Sequence, residues 1–395
     1  MAATGSTCIS HPPFDGAKRQ VFVIGNDAAD VDSLVSAYAM ASLLESAEVQ
    51  AIALAQITRE EFRLRGDGLL LFRQAGSQVA ADGSPSDMRF WDEVDWDTVR
   101  GLDKRSVVLT DHNKMAGKVC EIFDGRVEWI LDHHSDTGSY PEARRDLDES
   151  VGSACTLVAE HFLAKSEALP REVGLLLAGV ILLDCRNFGA SGEGSRGVPR
   201  DRVALDRLKP HVPEVGESAW YEELKTSRYD VSHLSVRELL MLDLKAAPVA
   251  GFPGPVVAFA AMMATLDECC AKEGGPAALL ETIRRFAVER GYQAVVCNFA
   301  TDANGLKGLA LAPVSDAQLA LCSAVESRVA GAPGNLPKAF LENPLYASQG
   351  ILEQGFGLKP RPDLEPLRAF GMRAEISRKT LLPRATSEED GSSSL

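Results

Sequence analysis

The sequence predicts an α/β protein with two domains, the first of which is built on a mostly parallel sheet. Between residues 20 and 187, short runs rich in β-branched residues (21–24, 107–109 and 127–131) alternate with helical stretches (32–45 and 151–165). This alternation is typical of the βαβ units that form parallel sheets. A segment rich in Gly, Pro and charge then interrupts the pattern between residues 189 and 218. Strands and helices resume after it, which indicates a second α/β domain.

The order of these segments gives the expected domain boundaries. We expect the first domain over residues 18–205, a linker over 206–219 and the second domain over 220–385. The second domain is assigned from strand-like runs at 256–259 and 294–297 and from a helical stretch at 276–289. Residues 1–17 and 386–395 lack periodicity and are predicted to be disordered tails.

Composition and charge exclude several classes of function. The formal net charge of −15 argues against binding to nucleic acid or to membrane surfaces, because both depend on a basic face. The longest apolar stretch, residues 173–183, is far shorter than the roughly 20 residues of a bilayer span and is interpreted as a buried helix. The eight cysteines form no C-x-x-C pair, which argues against a zinc knuckle or a disulfide framework. Because no secretory signal is visible, the expected location is the cytoplasm.

Four short acidic patches each follow an apolar run in the first half of the chain. They lie at residues 26–33, 110–113, 131–134 and 182–184. Carboxylates at the carboxyl ends of parallel strands face one crevice of the sheet, where several of them repel one another unless cations lie between them. The patches therefore predict one metal site and chemistry on phosphate.

Each patch also has an ordinary structural interpretation. Asp30 or Asp32 can cap the helix that follows, and this role is compatible with metal ligation. Asp111 suits a turn, and the two histidines at 133–134, which cannot point the same way on a strand, suit a polar strand end. Asp184 is harder to explain in this way, because a carboxylate that ends eleven apolar residues needs a charged or metal partner.

Taken together, the patches resemble the four signature motifs of the DHH phosphoesterase superfamily. The matching residues are Asn-x-x-x-Asp-x-Asp-Ser at 26–33, Asp-His-Asn at 111–113, Asp-His-His at 132–134 and Asp184. Segments 58–65, 152–156, 286–291 and 377–383 further resemble the branch of eukaryotic cytosolic exopolyphosphatases, prune proteins and family II inorganic pyrophosphatases. The resemblance covers residues 20–385 and implies a DHH domain, then a DHH-associated α/β domain, with the active site in the cleft between them.

The resemblance also implies a set of metal ligands. One divalent cation would be surrounded by Asn26, Asp30 and Asp111, and a second by Asp32, Asp111, His133 and Asp184, so that Asp111 bridges the two. Asp132 would support the ligands from behind. Oxygen ligands with one or two nitrogens suit Mg²⁺ or Mn²⁺, with Co²⁺ as a further option, better than zinc. A water between the cations would supply hydroxide as the nucleophile.

The resemblance implies catalytic and substrate-binding residues as well. His134 would contact the reacting phosphoryl group and pass a proton to the leaving oxygen, and His112 and Asn113 would assist. The matching basic motif, Ser377, Arg378 and Lys379, would bind substrate phosphates. Composition alone would make that motif a solvated basic turn. Further cationic candidates for phosphate binding, which we assign to the second domain, are Lys225, Arg228 and Arg373.

Two departures from the family patterns bear on the substrate. Family II pyrophosphatases have a histidine where this chain has Asn26, and an amide oxygen moves the metal preference toward Mg²⁺ and the assignment toward exopolyphosphatase. In contrast, Asp111-His112-Asn113 is the form usual in pyrophosphatases. We therefore expect a monomeric enzyme that releases orthophosphate from the end of inorganic polyphosphate, with a pyrophosphatase or short-chain polyphosphatase as the alternative. A prune-like phosphodiesterase or interaction scaffold is a further alternative, although the intact Asp132-His133-His134 motif argues against it.

Overall fold

The computed structural model describes residues 11, 13–115, 117–123, 125–165, 169–190, 192, 194–249, 252–330 and 358–373. It divides the chain into two compact units, Met1–Asp230 and Val231–Leu395. The division comes after Asp230, whereas the sequence predicts a linker over 206–219.

The sheet of the first unit is parallel throughout, as the sequence predicts. Its strands are ordered β3-β2-β1-β4-β5-β6, and each adjacent pair runs in the same direction. The carboxyl ends of β1, β4 and β5 therefore lie side by side at one edge. The strands are β1 (Arg19–Ile24), β2 (Val49–Ala55), β3 (Arg89–Phe90), β4 (Arg105–Thr110), β5 (Val127–Asp132) and β6 (Arg144–Leu147).

Helices cover both faces of this sheet. One apolar cluster packs Val21 and Val23 of β1 against helices α1, α3, α6, α7 and α9, and another packs Phe22 and Ile24 against α4 and α5. The helices are α1 (Val31–Leu44), α2 (Arg59–Phe62), α3 (Gly66–Ala75), α4 (Trp96–Arg100), α5 (Gly117–Phe123), α6 (Ala154–Ala164), α7 (Arg171–Asp184), α8 (Pro199–Leu208) and α9 (Glu217–Tyr229). The apolar run at 173–183 is buried along its whole length within α7, which confirms its interpretation as a core helix.

The segment at 189–230 differs from the sequence-based expectation. It contains α8 and α9, and the apolar side of α9 is part of the core of the first unit, where Trp220 and Leu224 are fully buried. Burial of a tryptophan removes a large apolar area from water and fixes the helix to this unit. Lys225 and Arg228, which were assigned to the second domain, therefore lie on a helix of the first unit.

The second unit is also α/β, with a mixed sheet in the order β11-β12-β10-β9-β8-β7. β8 and β9 run parallel and the other neighbours antiparallel. The strands at 256–259 and 294–297 and the helix at 276–289 are confirmed within β8, β9 and α12. The elements are α10 (Val236–Leu242), β7 (Leu244–Val249), β8 (Phe252–Ala261), α11 (Leu266–Glu273), α12 (Pro276–Arg290), β9 (Ala294–Thr301), β10 (Leu306–Pro313), α13 (Leu319–Ala330), β11 (Lys359–Pro360) and β12 (Arg368–Arg373). Among the described helices of both units, none has the length and apolar character needed to cross a membrane.

Candidate metal centre

Asp111 is the centre of the acidic cluster. It follows the last residue of β4 with a φ of 61°, a left-handed conformation that is uncommon for residues other than glycine. Its backbone N–H donates to the carbonyl of Leu131 on β5 at 2.9 Å, which holds this turn against the neighbouring strand. The side chain is almost fully buried. A buried carboxylate on a strained backbone is the kind of feature that clusters at functional sites.

One oxygen of Asp111 is held by the first acidic patch. Oδ2 accepts hydrogen bonds from Ser33 Oγ at 2.5 Å and from Asn26 Nδ2 at 2.8 Å. Gly25 allows this contact, because a Cβ atom there would lie 2.5 Å from the carbonyl oxygen of Ser33. Ser33 belongs to the recognised motif, but the sequence gives no sign that its hydroxyl orients Asp111.

The other oxygen of Asp111 faces two imidazoles. Oδ1 lies 3.2 Å from His133 Nε2 and 3.7 Å from His134 Nδ1. Within the part of the chain that the structure describes, this buried oxygen has no hydrogen-bond partner of acceptable geometry. Ligand atoms of Asp111, His133 and His134 all lie within 4.8 Å of one another. A buried acceptor without a donor, faced by imidazole nitrogens, fits a bound cation.

His133 is held in the orientation of a metal ligand. Its Nδ1 lies 3.0 Å from the carbonyl oxygen of Val151, which can only accept, so Nδ1 carries a proton. Nε2 then points at Asp111 and lies 3.8 Å from Asp32 Oδ2. A histidine that donates one ring N–H to a carbonyl offers the other nitrogen for ligation.

Asp32 is fixed by the beginning of α6. Its carboxylate accepts from Ser153 Oγ at 2.8 Å and from the backbone N–H groups of Ala154 at 2.8 Å and Cys155 at 3.0 Å. The helix N-terminus thus stabilises a buried negative charge. Residues 152–156 resemble a segment of the family, but nothing in their sequence predicts this contact.

Asp30 and Asp32 have different surroundings at the beginning of α1. Asp30 is the N-cap of α1, accepts from the N–H of Ser33 at 3.1 Å and is exposed, whereas Asp32 lies in the first helical turn and is buried. The capping interpretation of Asp30 is therefore confirmed. Asn26 differs as well, because its Oδ1 accepts from the N–H groups of Ala28 and Ala29 and its Nδ2 faces Asp111.

Asp132 lies behind the two histidines. It is fully buried at the end of β5, and its Oδ1 lies 2.8 Å from His134 Nδ1. Asn113 Nδ2 donates to the other oxygen of Asp132 at 2.5 Å, while Asn113 Oδ1 accepts from the N–H and hydroxyl of Thr137. Asn113 thus positions Asp132 and the following loop instead of offering a free group to a substrate. The rings of His133 and His134 both face Asp111, because the strand ends at Asp132 and the alternation of a strand no longer applies.

The remaining catalytic candidate, His112, is largely buried next to Asp111. Its Nδ1 lies 2.9 Å from the carbonyl oxygen of Thr110, and among the described residues its Nε2 has no partner. Burial lowers the pKa of His112, so the ring is neutral. His134 is different, because its side chain is 58% exposed and the hydrogen bond to Asp132 raises its pKa. Of the two rings, His134 is the one open to a ligand in solution.

Asp184 is the last residue of α7, and its charged partner is Arg228, which we had assigned to the second domain. Arg228 Nη1 on α9 lies 3.5 Å from Asp184 Oδ1. The same guanidinium donates through Nε to Asp67 Oδ2 on α3 at 2.6 Å. The expectation that Asp184 needs a charged partner is thus met within the first unit, and Asp67 is a buried acid that the sequence analysis missed.

The acids of the cluster hold protons unusually tightly. Burial, with the charge of Asp111, raises the pKa of Asp32 to about 6, and burial raises that of Asp111 to about 6. Burial and the charge of Asp32 raise the pKa of Asp184 to about 8, against the effect of Arg228. Burial alone would lower the pKa of His133, but Asp111 and Asp32 raise it to about 10. The site therefore has more negative charge than its own cations compensate.

The predicted phosphate-binding cations are only partly described. Ser377, Arg378 and Lys379 lie outside the described residues, and Arg373 is described only as the last residue of β12. Lys225 lies on α9, with Nζ 5.7 Å from the ring of Tyr221 and 3.9 Å from a carboxylate oxygen of Glu222. Arg228 alone among these candidates contacts an expected metal ligand in the described part of the chain.

Comparison with known proteins finds similar chains. Residues 20–181 match the DHH family, N-terminal domain. The chain is 29% identical over 313 residues to rat exopolyphosphatase PRUNE1, an alignment that covers 77% of this chain and 65% of the relative. It is 24% identical over 236 residues to a manganese-dependent inorganic pyrophosphatase of Methanothrix thermoacetophila, with 58% and 67% covered. The aligned regions span 48–65% of the rat, cow, mouse and human PRUNE1 proteins.

A solved structure supports the fold. The crystal structure of a "putative family II inorganic pyrophosphatase" from Methanococcus jannaschii aligns with a TM-score of 0.53 at 17% identity, over 93% of this chain and 99% of that one. The match therefore extends beyond the first unit into the second sheet. Residues 20–181 thus match a DHH-family domain, and the chain is similar to exopolyphosphatase PRUNE1 and to manganese-dependent inorganic pyrophosphatase.

Proposed function

We propose that this protein is an exopolyphosphatase, which hydrolyses the terminal phosphoanhydride of inorganic polyphosphate and releases orthophosphate. The observation that carries the proposal concerns Oδ1 of Asp111, which is buried, has no hydrogen-bond partner among the described residues and faces the imidazoles of His133 and His134. The negative charge of the surrounding carboxylates exceeds the positive charge of the side chains near them. Such a cluster needs exchangeable cations, and cations at the edge of an open α/β sheet suit a polyanionic substrate. The relatives named exopolyphosphatase favour this substrate over other phosphoesters.

The donor set suits hard divalent cations such as Mg²⁺ or Mn²⁺. Asp32, Asp111, His133 and Asp184 would hold one ion, and Asp30 and Asp111 would hold another with Asn26 beside it. The relative named a manganese-dependent pyrophosphatase is consistent with this choice. Bound divalent cations supply Lewis acidity and lower the pKa of water to near neutrality.

The residues of the chain supply the rest of the chemistry. His134 donates Nδ1–H to Asp132, whose position is fixed by Asn113, so Nε2 is the nitrogen that meets the leaving-group oxygen. Asp132 stabilises the protonated ring, which makes His134 the general acid. The basic motif at 377–379 is assigned to the phosphates that follow the terminal one.

The first test is orthophosphate release from pyrophosphate, tripolyphosphate and long-chain polyphosphate, compared side by side. Each substrate is assayed with Mg²⁺, with Mn²⁺ and with a chelator. We expect metal-dependent release from long chains and little from pyrophosphate. An absence of release from all three with either metal would contradict the proposal and favour a scaffold of the prune type.

A pyrophosphatase or short-chain polyphosphatase is the second candidate. The Asp111-His112-Asn113 motif has the form usual in pyrophosphatases, and Asn113 is fully engaged with Asp132 and Thr137. The same assay separates the candidates, because preferential release from pyrophosphate would assign the chain to this class. Asn26→His is a useful companion variant, since it introduces the residue that pyrophosphatases have at this position and should shift the metal preference toward Mn²⁺.

A further inference from the structure

A chain of three charged side chains links α3, α9 and α7 beside the candidate metal centre. Arg228 lies in its middle, with Nε donating to Asp67 Oδ2 at 2.6 Å and Nη1 lying 3.5 Å from Asp184 Oδ1. The contact with Asp67 is the closer of the two and has hydrogen-bond geometry. One guanidinium is therefore shared unequally between two carboxylates.

The backbone around Asp67 is arranged so that it meets α9. Gly66 precedes it, and a Cβ atom at Gly66 would lie 2.2 Å from the carbonyl oxygen of Ser227. Only glycine lets the first turn of α3 approach α9 this closely, at the residue next to Arg228. Asp67 itself is 6% exposed, and its Oδ1 accepts from the N–H of Gly68 at 2.9 Å. A buried acid in this position needs the arginine, and the arginine is held by it.

The charge of Asp67 should affect how strongly Asp184 binds a divalent cation. A guanidinium beside Asp184 competes with any divalent cation for that carboxylate, because both are positive. Asp67 withdraws the guanidinium toward α3 and so weakens this competition. If Asp67 lost its charge, Asp184 would be the carboxylate still in ion-pair contact with Arg228 among the described residues, and the two would form a full ion pair.

We propose that Asp67 is a positioning residue that holds Arg228 away from full pairing with Asp184, so that Asp184 stays available to a divalent cation and the guanidinium stays available to a substrate phosphate. This inference rests on the proposed function in its assignment of Asp184 as a ligand. In this proposal Arg228 affects metal binding at Asp184 as well as phosphate binding. Asp67, which lies outside the four motifs, controls the position of Arg228.

The proposal predicts that loss of Asp67 weakens Mn²⁺ binding and that loss of Arg228 does not. Asp67→Asn should weaken binding of Mn²⁺ by about tenfold, the range typical of residues that position metal ligands. Arg228→Gln should leave Mn²⁺ binding unchanged or tighten it, and should raise KM for polyphosphate more than it lowers kcat. Asp67→Asn combined with Arg228→Gln should restore Mn²⁺ affinity to the level of the parent protein, since the competing cation is gone.

The experiment titrates Mn²⁺ into the metal-free full-length protein by calorimetry, with no turnover needed. Glu223→Gln is the matched control, because Gln74 Nε2 donates to Glu223 Oε1 at 3.0 Å across the same contact of α3 with α9 but away from Asp184. Unchanged Mn²⁺ affinity in Asp67→Asn, or failure of the double variant to restore it, would overturn the proposal. A parent protein that binds Mn²⁺ with the predicted variant pattern but hydrolyses no polyphosphate would overturn the proposed substrate and leave the role of Asp67 intact.

Discussion

Two acids of the first unit, the partly buried Glu93 and the buried Asp111, have opposite surroundings. Glu93 accepts from Arg59, from His11 Nε2 at 2.9 Å and from the N–H of Phe90 at 3.2 Å, so its charge is matched by permanent donors. Burial alone would raise its pKa, but His11 and Arg59 lower it to about 2. Asp111 lies among other carboxylates, and its pKa is raised. The surroundings of Glu93 stabilise the fold, whereas those of Asp111 require an exchangeable cation.

The strongest way to test this contrast is Asp111→Asn. Asparagine tolerates the left-handed backbone and keeps the shape of the side chain, so the variant removes the charge and replaces one acceptor oxygen with an N–H donor group. We expect polyphosphate hydrolysis to fall by at least about a thousandfold, because both cations depend on this carboxylate. In the presence of a chelator the variant should unfold at a higher temperature than the parent, since a repulsive buried charge is gone. A lower melting temperature under those conditions would mean that Asp111 is a structural acid.

Glu93→Gln should give the converse result. Loss of its charge leaves Arg59, which is 9% exposed, with a neutral partner, and breaking such a pair costs about 3 kcal/mol. We expect the urea midpoint to fall by a corresponding amount, with the same shift in Mn²⁺ and in chelator. Turnover per folded molecule should be unchanged at a temperature where the variant is fully folded. A shift that Mn²⁺ reverses would place Glu93 in the metal site and remove the contrast.

The Asp111 side of this contrast can be predicted from sequence, because the features involved depend on residues that are close together in the chain. The strands, the apolar run of α7 and the acids at strand ends depend on residues close together in the chain, so patterning predicts them. The acids of the metal centre were singled out for the same reason. Glu93, in contrast, was not distinguished from a surface acid, because Arg59 and His11 reach it only in the folded chain.

The positioning contacts could not be predicted, because they join distant residues. Ser153 and Asp32 are 121 residues apart, and Arg228 and Asp67 are 161 residues apart. Their pairing depends on how α1, α3, α6 and α9 pack, which sequence spacing does not encode. The same limitation explains why α9 was assigned to the second domain, since its polar surface is visible in the sequence and the burial of Trp220 is not.

The acids of the metal centre and Glu93 also predict opposite responses to pH. The pKa values of Asp32, Asp111 and Asp184 are raised from 3.8, so their protonation stabilises the folded state below that value. This stability is lost as pH rises through about 6 and then about 8. The pKa of Glu93 is lowered from 4.5, so its contribution is present above that value and is lost as pH falls through about 2. Chelated parent protein should therefore become less stable from about pH 4 to pH 8.

Thermal unfolding across this range measures the effect, with Asp184→Asn as the comparison. This variant should have a shallower decline with rising pH, since it lacks the acid that titrates highest. Saturating Mn²⁺ should reverse the slope for the parent, because cations bind the deprotonated site. Equal slopes for the parent and Asp184→Asn would show that the decline arises elsewhere in the protein.

The smallest expected effect concerns Ser153, whose hydroxyl reaches Asp32 at 2.8 Å. In Ser153→Ala, Asp32 still accepts from the N–H groups of Ala154 and Cys155, so we expect only a severalfold loss of Mn²⁺ affinity and about 1 kcal/mol from the lost cap of α6. Ser235→Ala, which removes the cap of α10 in the second unit, is the matched control and should lower stability without changing Mn²⁺ affinity. Equal Mn²⁺ affinity in both variants would show that the backbone of α6 alone orients Asp32. Asp32 would then be oriented by backbone N–H groups of α6 and not by any side chain.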